Sequence, residues 1–103
     1  MKFNHVLFAK AISDDTRQKI MNLCCCESLS VTEIVEKLDV SQPTVSHHLA
    51  ILREADLVTV REEGKQTFYS LNQENVAICC GQLMIKFAPE SITTEKLLKT
   101  FKA

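Results

Sequence analysis

Residues 41–53 read SQPTVSHHLAILR, and their pattern guides the interpretation of the rest of the chain. Ser41 is a favourable N-cap because its hydroxyl accepts a free backbone N–H, and Pro43 is tolerated in the first helical turn. Apolar residues recur at helical spacing and predict a face towards the core: Val45, Leu49, Ile51, Leu52 and Ala55. The opposite face carries Thr44, Ser46, His47 and Arg53. The segment therefore predicts an amphipathic helix with a small polar face.

A second helix is predicted immediately before this one. Ser30-Val31-Thr32-Glu33 has capping-box spacing, in which the Ser30 hydroxyl and the Glu33 carboxylate each take one free N–H. The helix that starts there runs through Leu38, and residues 39–41 form a short turn. The sequence therefore predicts two helices joined by a tight turn.

Two more helices precede this pair. The first stops near Ser13, and Asp14 or Asp15 can cap the next one. That second helix ends at the run Glu27-Ser28-Leu29-Ser30, which is mostly polar.

The pattern changes after Leu57. Residues 58–61 and 66–71 are rich in β-branched and aromatic residues and predict a β-hairpin. Asn72 can cap a fifth helix, which ends before Pro89 because the residue preceding proline avoids the helical region. A short last helix is predicted from Thr94 to Phe101. The predicted fold is mainly α with a β-hairpin wing, a winged helix-turn-helix of order ααααββα plus a short C-terminal helix.

Length and charge limit what such a chain can do. The 103 residues fit one domain, taken as residues 1–103. Twelve basic and thirteen acidic residues give a net charge of −1, so binding to nucleic acid has to rely on a local patch. No stretch approaches a membrane span, and the first five residues do not form a secretory signal. We expect a cytoplasmic protein without membrane contact.

Several blocks of this sequence closely resemble the ArsR/SmtB family of repressors, in register over roughly residues 9–71. The blocks are residues 11–17, 29–34, 41–49, 52–58 and 69–71. The resemblance implies a homodimer joined through its first and fifth helices, with two recognition helices bound to a palindromic double-stranded DNA operator. It also implies that an effector lowers DNA affinity and releases repression. An enzyme is not expected.

The residues that contact DNA are predicted at the start of the fourth helix. Ser41 suits a backbone phosphate, because helix N-termini carry partial positive charge. His48 lies next to the core-facing Leu49, and we expect it to pack or hydrogen-bond internally. The predicted readers of base edges are Gln42, Thr44, Ser46 and His47. The alternative, a merely solvated helix face, is disfavoured by the matching blocks on either side.

The predicted hairpin supplies a second DNA contact. Arg61 and Lys65 flank its Glu62-Glu63-Gly64 turn, and the resemblance places such a wing along the minor groove or the phosphates. The two glutamates make this wing less basic than is usual for a DNA contact.

Five cysteines form two clusters, Cys24-Cys25-Cys26 and Cys79-Cys80. Thiolates are soft ligands, and trivalent arsenic favours a pyramid of three sulfurs. Neighbours on a helix lie about 100° apart, so three consecutive cysteines cannot all converge on one ion. A subset of the five is therefore the candidate metal site, for example Cys24 or Cys25 with Cys79 or Cys80. The predicted effector is As(III) or another thiophilic ion such as Cd(II).

The chain departs from the effector sites best known in the family. The arsenic-sensor cysteines at the start of the third helix would fall at Ser30 and Thr32. The zinc ligands of other members would fall near Gln73, Asn75, Lys86 and Pro89, and none of these residues is suitable. Three alternatives remain open: a redox or persulfide sensor of the same fold, cysteines that only pack the core, and a thiol protein that buffers metal without binding DNA. A thiol oxidoreductase is disfavoured because no Cys-x-x-Cys is present.

Overall fold

The computed structural model describes residues 4–102, and residues 1–3 and 103 lie outside the described range. Asn4, Asp14 and Asn72 each cap a helix by accepting a backbone N–H three residues on. The described helices are α1 (His5–Ala11), α2 (Asp15–Cys24), α3 (Val31–Leu38), α4 (Gln42–Glu54), α5 (Gln73–Phe87) and α6 (Ile92–Lys102). The predicted helices are confirmed, and the last begins two residues earlier than expected.

The turn between α3 and α4 follows the predicted chemistry. The Glu33 N–H donates to Ser30 Oγ at 3.2 Å, and the Ser30 N–H donates to Glu33 Oε1 at 2.9 Å. Asp39 ends α3 in the left-handed conformation, with φ at 55°. Ser41 then caps α4, its Oγ accepting from the Thr44 N–H at 3.3 Å. These local bonds fix where each helix of the pair begins and ends.

The sheet has one strand more than the predicted hairpin. The hairpin consists of β2 (Val58–Glu63) and β3 (Gln66–Leu71), and β1 (Leu29–Ser30) pairs with β3. All neighbouring strands are antiparallel, in the order β1-β3-β2. The segment interpreted as a helix-breaking run therefore attaches the N-terminus of α3 to the hairpin. Two residues are too few to show a strand periodicity in the sequence.

The core lies between the helix pair, α2 and the sheet. Ile20, Ile34, Val45 and Leu52 are fully buried, and they come from three different helices. The other buried apolar residues are Phe8, Ala11, Met21, Cys24, Leu29, Leu49, Leu57, Val58 and Cys79. The predicted core face of α4 is confirmed for Val45, Leu49 and Leu52. Burial of this face holds α4 with its polar face outward.

Large apolar side chains on the other side of the molecule remain exposed. They lie on α1, α5 and α6, and their exposed fractions are 65% for Val6, 49% for Ile85, 74% for Phe87, 69% for Ile92 and 43% for Leu97. The exposed apolar surface on α1, α5 and α6 lies outside the helix pair and the hairpin.

Within residues 4–102, no helix has the length and apolar character needed to cross a membrane.

Candidate nucleic-acid interface and cysteine sites

The start of α4 presents a continuous polar surface. Ser41 and Thr44 hydrogen-bond through their hydroxyl oxygens, which lie 2.7 Å apart. The five side chains predicted to contact DNA there are all exposed, namely Ser41, Gln42, Thr44, Ser46 and His47. Free backbone N–H groups and the helix dipole make such a helix start suitable for a phosphate. The arrangement can bind a phosphate at the cap and place hydrogen-bonding groups just beyond it.

His48 faces inward, as expected, and is held by hydrogen bonds. Its side chain is 12% exposed, and Arg17 Nη1 donates to its Nδ1 at 3.1 Å. Nε2 lies 4.0 Å from a carboxylate oxygen of Asp14. Desolvation by burial lowers the pKa of His48, an effect that the Asp14 carboxylate partly opposes. His48 is therefore a structural partner of α2 and not part of the exposed polar face.

Arg17 joins three parts of the chain at this point. Besides its bond to His48, its Nε donates to the Ala11 carbonyl at 2.7 Å and its Nη2 to the Lys10 carbonyl at 3.2 Å. Carbonyls at the end of a helix have no partner within it, so Arg17 satisfies the end of α1 while contacting α4. This role was not predicted from the sequence. An arginine three residues after the Asp14 cap is the signal that could have revealed it.

The hairpin, here called the wing (residues 58–71), carries a partly neutralised charge. Arg61 forms an ion pair with Glu63, and its guanidinium carbon lies 5.0 Å from the centre of the Phe68 ring on the opposite strand. Gly64 adopts a φ of 63° at the turn, and Lys65 beside it is exposed. Both predicted basic residues thus lie on the wing, but Arg61 is engaged within it.

The turn after α4 is connected to the start of α5. Asp56 adopts a φ of 60°, and its carbonyl accepts from Asn75 Nδ2 at 2.8 Å and from Asn72 Nδ2 at 3.2 Å. Asn75 is 1% exposed. Its amide therefore couples the end of the helix pair to α5, a role that was not predicted from the sequence.

The five cysteines occupy different environments. Cys24 ends α2 inside the core, whereas Cys25 is partly exposed and Cys26 is exposed beyond the helix. Cys79 is buried in α5, and Cys80 is exposed on the next face of that helix. Burial raises the pKa of Cys24 to about 11, and desolvation also raises the pKa of Cys79 and of Cys80. The hydrogen bond with Cys26 raises the pKa of Cys25 as well. What distinguishes Cys24 and Cys79 from the other cysteines is therefore their burial, which keeps a ligand at the surface from reaching them.

The structure does not gather three or more of the candidate metal ligands at one place in its described part. In the part of the chain between residues 4 and 102, no group of three or more His, Cys, Asp or Glu could hold a metal ion. Cys80 instead lines a shallow groove with side chains of α1 and α2, including Gln18 and Met21. The thiols of Cys25 and Cys26 contact each other through their sulfurs.

Comparisons with known proteins agree with this architecture. Residues 14–60 match the family described as "Bacterial regulatory protein, arsR family". The transcriptional repressor SdpR of Bacillus subtilis is 41% identical over 63 residues, which are 61% of this chain and 70% of that protein. The chain belongs to the ArsR family. As an ArsR-family protein it is a helix-turn-helix transcriptional regulator and not an enzyme, as the sequence predicted.

Two further relatives show how far the similarity extends. The arsenical resistance operon repressor of Staphylococcus xylosus is 40% identical over 65 residues, which are 63% of this ArsR-family chain and 62% of that repressor. The chain thus spans less than two thirds of that relative. Reduced HlyU from Vibrio cholerae N16961 has a known structure that superimposes on this one with a TM-score of 0.65. The aligned region has 33% sequence identity and covers 81% of this chain and 86% of the HlyU chain. The winged helix fold is therefore confirmed.

Proposed function

We propose that the protein is a dimeric repressor that binds a palindromic operator through α4 and is released when its cysteine thiols bind a soft metal or metalloid. The observation that carries the proposal is the exposed row of hydrogen-bonding groups at the N-terminus of α4, on a helix whose other face is anchored in the core. Base edges in the major groove are recognised by such groups, and phosphates by helix N-termini. The site of action is the cytoplasm, and one domain spanning residues 1–103 both binds DNA and dimerises.

A homodimer through α1 and α5 is supported by the exposed apolar surface. Val6 on α1 and Phe87 on α5 are both largely exposed. A groove of about 400 Å³ runs along α5 beside α6, and Gly81 is among the residues that line it. Burying this surface against a second copy would stabilise the pair by the hydrophobic effect.

The effector is proposed to be a thiophilic species, either As(III) or Cd(II). Soft thiolates select such ions, and the S. xylosus relative is named for arsenical resistance. Cys25 and Cys26 are accessible, as is Cys80. A redox or persulfide sensor uses the same accessible thiols and is the second candidate.

The test is a titration in which the reduced protein is added to promoter DNA of its own gene. Fluorescence anisotropy of the DNA measures the binding affinity. Alanine at Gln42, Thr44 or His47 is expected to weaken binding by about 1–3 kcal/mol wherever the replaced side chain bonds directly to a base. Alanine at Thr93, exposed on α6, is the matched control and should leave the affinity unchanged. Binding to random DNA with equal strength would contradict sequence-specific repression.

The effector is identified in the same assay. Arsenite, cadmium, zinc and a persulfide donor are added to the preformed complex, first with the wild type and then with a variant in which all five cysteines are serine. Release by arsenite or cadmium in the wild type alone supports the metalloid sensor, and release by the persulfide donor alone supports the second candidate. If none of the four releases the DNA, thiol sensing is wrong and DNA binding remains to be judged from the promoter titration.

A further inference from the structure

The C-terminal end of α4 is closed by a Schellman motif. The Leu57 N–H donates to the Leu52 carbonyl at 2.9 Å, which is the longer of the two bonds that define this motif. The Asp56 N–H donates to the Arg53 carbonyl at 3.0 Å, which is the shorter one in sequence. Asp56 takes the left-handed position with a φ of 60°, where glycine is usual because it has no Cβ. The helix therefore ends on a residue whose backbone conformation has a steric cost.

The start of α5 holds this turn by hydrogen bonds to two successive carbonyls. The Asp56 carbonyl accepts from Asn75 Nδ2 at 2.8 Å and from Asn72 Nδ2 at 3.2 Å. The Leu57 carbonyl accepts from the Asn72 N–H at 2.8 Å. Asn72 Oδ1 in turn accepts the Asn75 N–H at 3.1 Å and so caps α5. These four residues are called the α4–α5 junction below.

The amide of Asn75 is buried without satisfying both of its ends. Within residues 4–102, no donor lies within hydrogen-bonding distance of its Oδ1. A buried acceptor without a partner is destabilising. Reversing the amide would bring Oδ1 against the carbonyl oxygen of Asp56, so the bond to Asp56 fixes its orientation. An apolar side chain of the same size would avoid this cost. The buried amide is therefore explained by the position that it gives Asp56 and not by stability.

We propose that Asn75 is a positioning residue that sets the orientation of α4 relative to α5, and thereby the spacing of the operator half-sites that the dimer accepts. The inference rests on the proposed function, in which α4 reads the DNA and α1 and α5 join the protomers. Because α5 packs mainly against α1 and α6 and not along α4, the α4–α5 junction links the reading helix to the dimer seam directly.

The geometry of a palindromic operator makes this link matter. Two reading helices must enter major grooves that lie about 34–36 Å apart, one turn of DNA. The seam between the protomers is the pivot, so a small rotation of α4 against α5 displaces both reading helices at once. The bonds to Asp56 oppose that rotation in each protomer. Without them, the dimer would still read each half-site but would hold the two half-sites less strictly.

The experiment uses the full chain and the promoter DNA of its own gene, in which footprinting first locates the half-sites. Operators with the natural spacer, and with one base pair added or removed, are compared by fluorescence anisotropy. One base pair moves a half-site by about 3.4 Å along the axis. The measured quantity is the ratio of the affinities for the natural and the altered spacing. Changes in net charge cancel in this ratio, because all the operators have nearly the same number of phosphates.

Asn75→Leu removes the amide and keeps the size of the side chain. We expect it to lower the ratio by about 10-fold, the equivalent of one neutral hydrogen bond. The urea midpoint, the dissociation constant of the dimer and the affinity for an isolated half-site should stay at their wild-type values. Asn72→Asp keeps the cap of α5 but loses the longer bond to Asp56, so it should lower the ratio less.

Asp56→Asn is the matched control at the same place in the fold. It keeps the carbonyl that both amides bind, and asparagine tolerates the left-handed conformation. The wild-type ratio should therefore be retained. An equal fall in this control would overturn the role given to Asn75.

The remaining outcomes separate the positioning role from the function on which it rests. An unchanged ratio in Asn75→Leu would overturn the role, as would an equal loss of affinity for every spacing together with a lower urea midpoint. If Asn75→Leu does not fold as a dimer, Asn72→Asp decides instead, and an unchanged ratio there overturns the role. A wild type that binds no operator, or binds all spacings equally, would contradict the proposed dimeric repressor itself and the role of Asn75 with it.

Discussion

Arg17 Nη1 donates a hydrogen bond to Nδ1 of His48 at 3.1 Å. A guanidinium group has only donors and stays charged, so Nδ1 must accept and carry a lone pair. His48 is therefore neutral in this arrangement, with its proton on Nε2, the nitrogen nearer to Asp14. The protonation state of this histidine on α4 thus follows from the residue that faces it. The same arginine also binds the last carbonyls of α1.

We predict that Arg17→Gln destabilises the fold. The substitution removes charge-assisted bonds to α1 and α4, each of which contributes about 1.5–3 kcal/mol. The free energy of unfolding, measured by urea denaturation at fixed protein concentration, should fall by that order. Lys19→Gln is the control, because Lys19 pairs with Asp15 only at the exposed surface of α2. That variant should change stability by less than about 1 kcal/mol. Equal effects of the two substitutions would show that Arg17 does not couple the helices.

Acid is predicted to destabilise the protein through His48. Its pKa in the folded state lies below the ordinary histidine value of 6.5, so the unfolded chain binds a proton more readily. The stabilisation is present above pH 6.5 and is lost as the pH falls through the folded-state pKa. A proton on Nδ1 would also face the donors of Arg17, which opposes protonation of His48. His47, whose ring centre lies 5.7 Å from that of His48, opposes it as well, whereas the Asp14 carboxylate favours it.

Denaturation between pH 8 and pH 5 tests this prediction. His48→Asn is the matched variant, because its amide oxygen can still accept from Arg17 but does not titrate. The wild type should lose more stability than this variant over that range. Parallel pH profiles would assign the acid sensitivity to other groups.

The sequence predicts those features that depend on local chemistry. The caps at Ser30 and Ser41, the hairpin and the end of α5 before Pro89 each follow from residues a few positions apart. The features that it missed join distant parts of the chain, as in the hydrogen bond between Arg17 and His48 and the pairing of β1 with β3. Such interactions depend on how the helices pack, and no periodicity or motif records them.

The capping box of α3 offers a test of local stability. Ser30→Ala removes the hydroxyl that accepts from the Glu33 N–H and should cost about 1 kcal/mol. Because Ser30 is 6% exposed and also pairs with Phe68 in the sheet, little water can replace the missing bond. Thermal unfolding measures the effect, with Thr32→Ala on the exposed face of the same helix turn as the control. An unchanged melting temperature in Ser30→Ala would mean that the box does not stabilise the helix pair.

The wing is predicted to bind DNA more tightly after Glu63→Gln. The ion pair with Glu63 and the Phe68 ring hold Arg61 on the wing surface, and the carboxylate cancels its charge. Removing that charge frees Arg61 for a phosphate, so operator affinity should rise and the slope of log K against log salt should steepen by about 1. Anisotropy titrations at several salt concentrations measure both quantities. Glu90→Gln, between α5 and α6, makes the same change in net charge away from the wing. If Glu90→Gln raised the affinity equally, the gain would reflect net charge alone. An unchanged affinity in Glu63→Gln would place Arg61 outside the DNA contact.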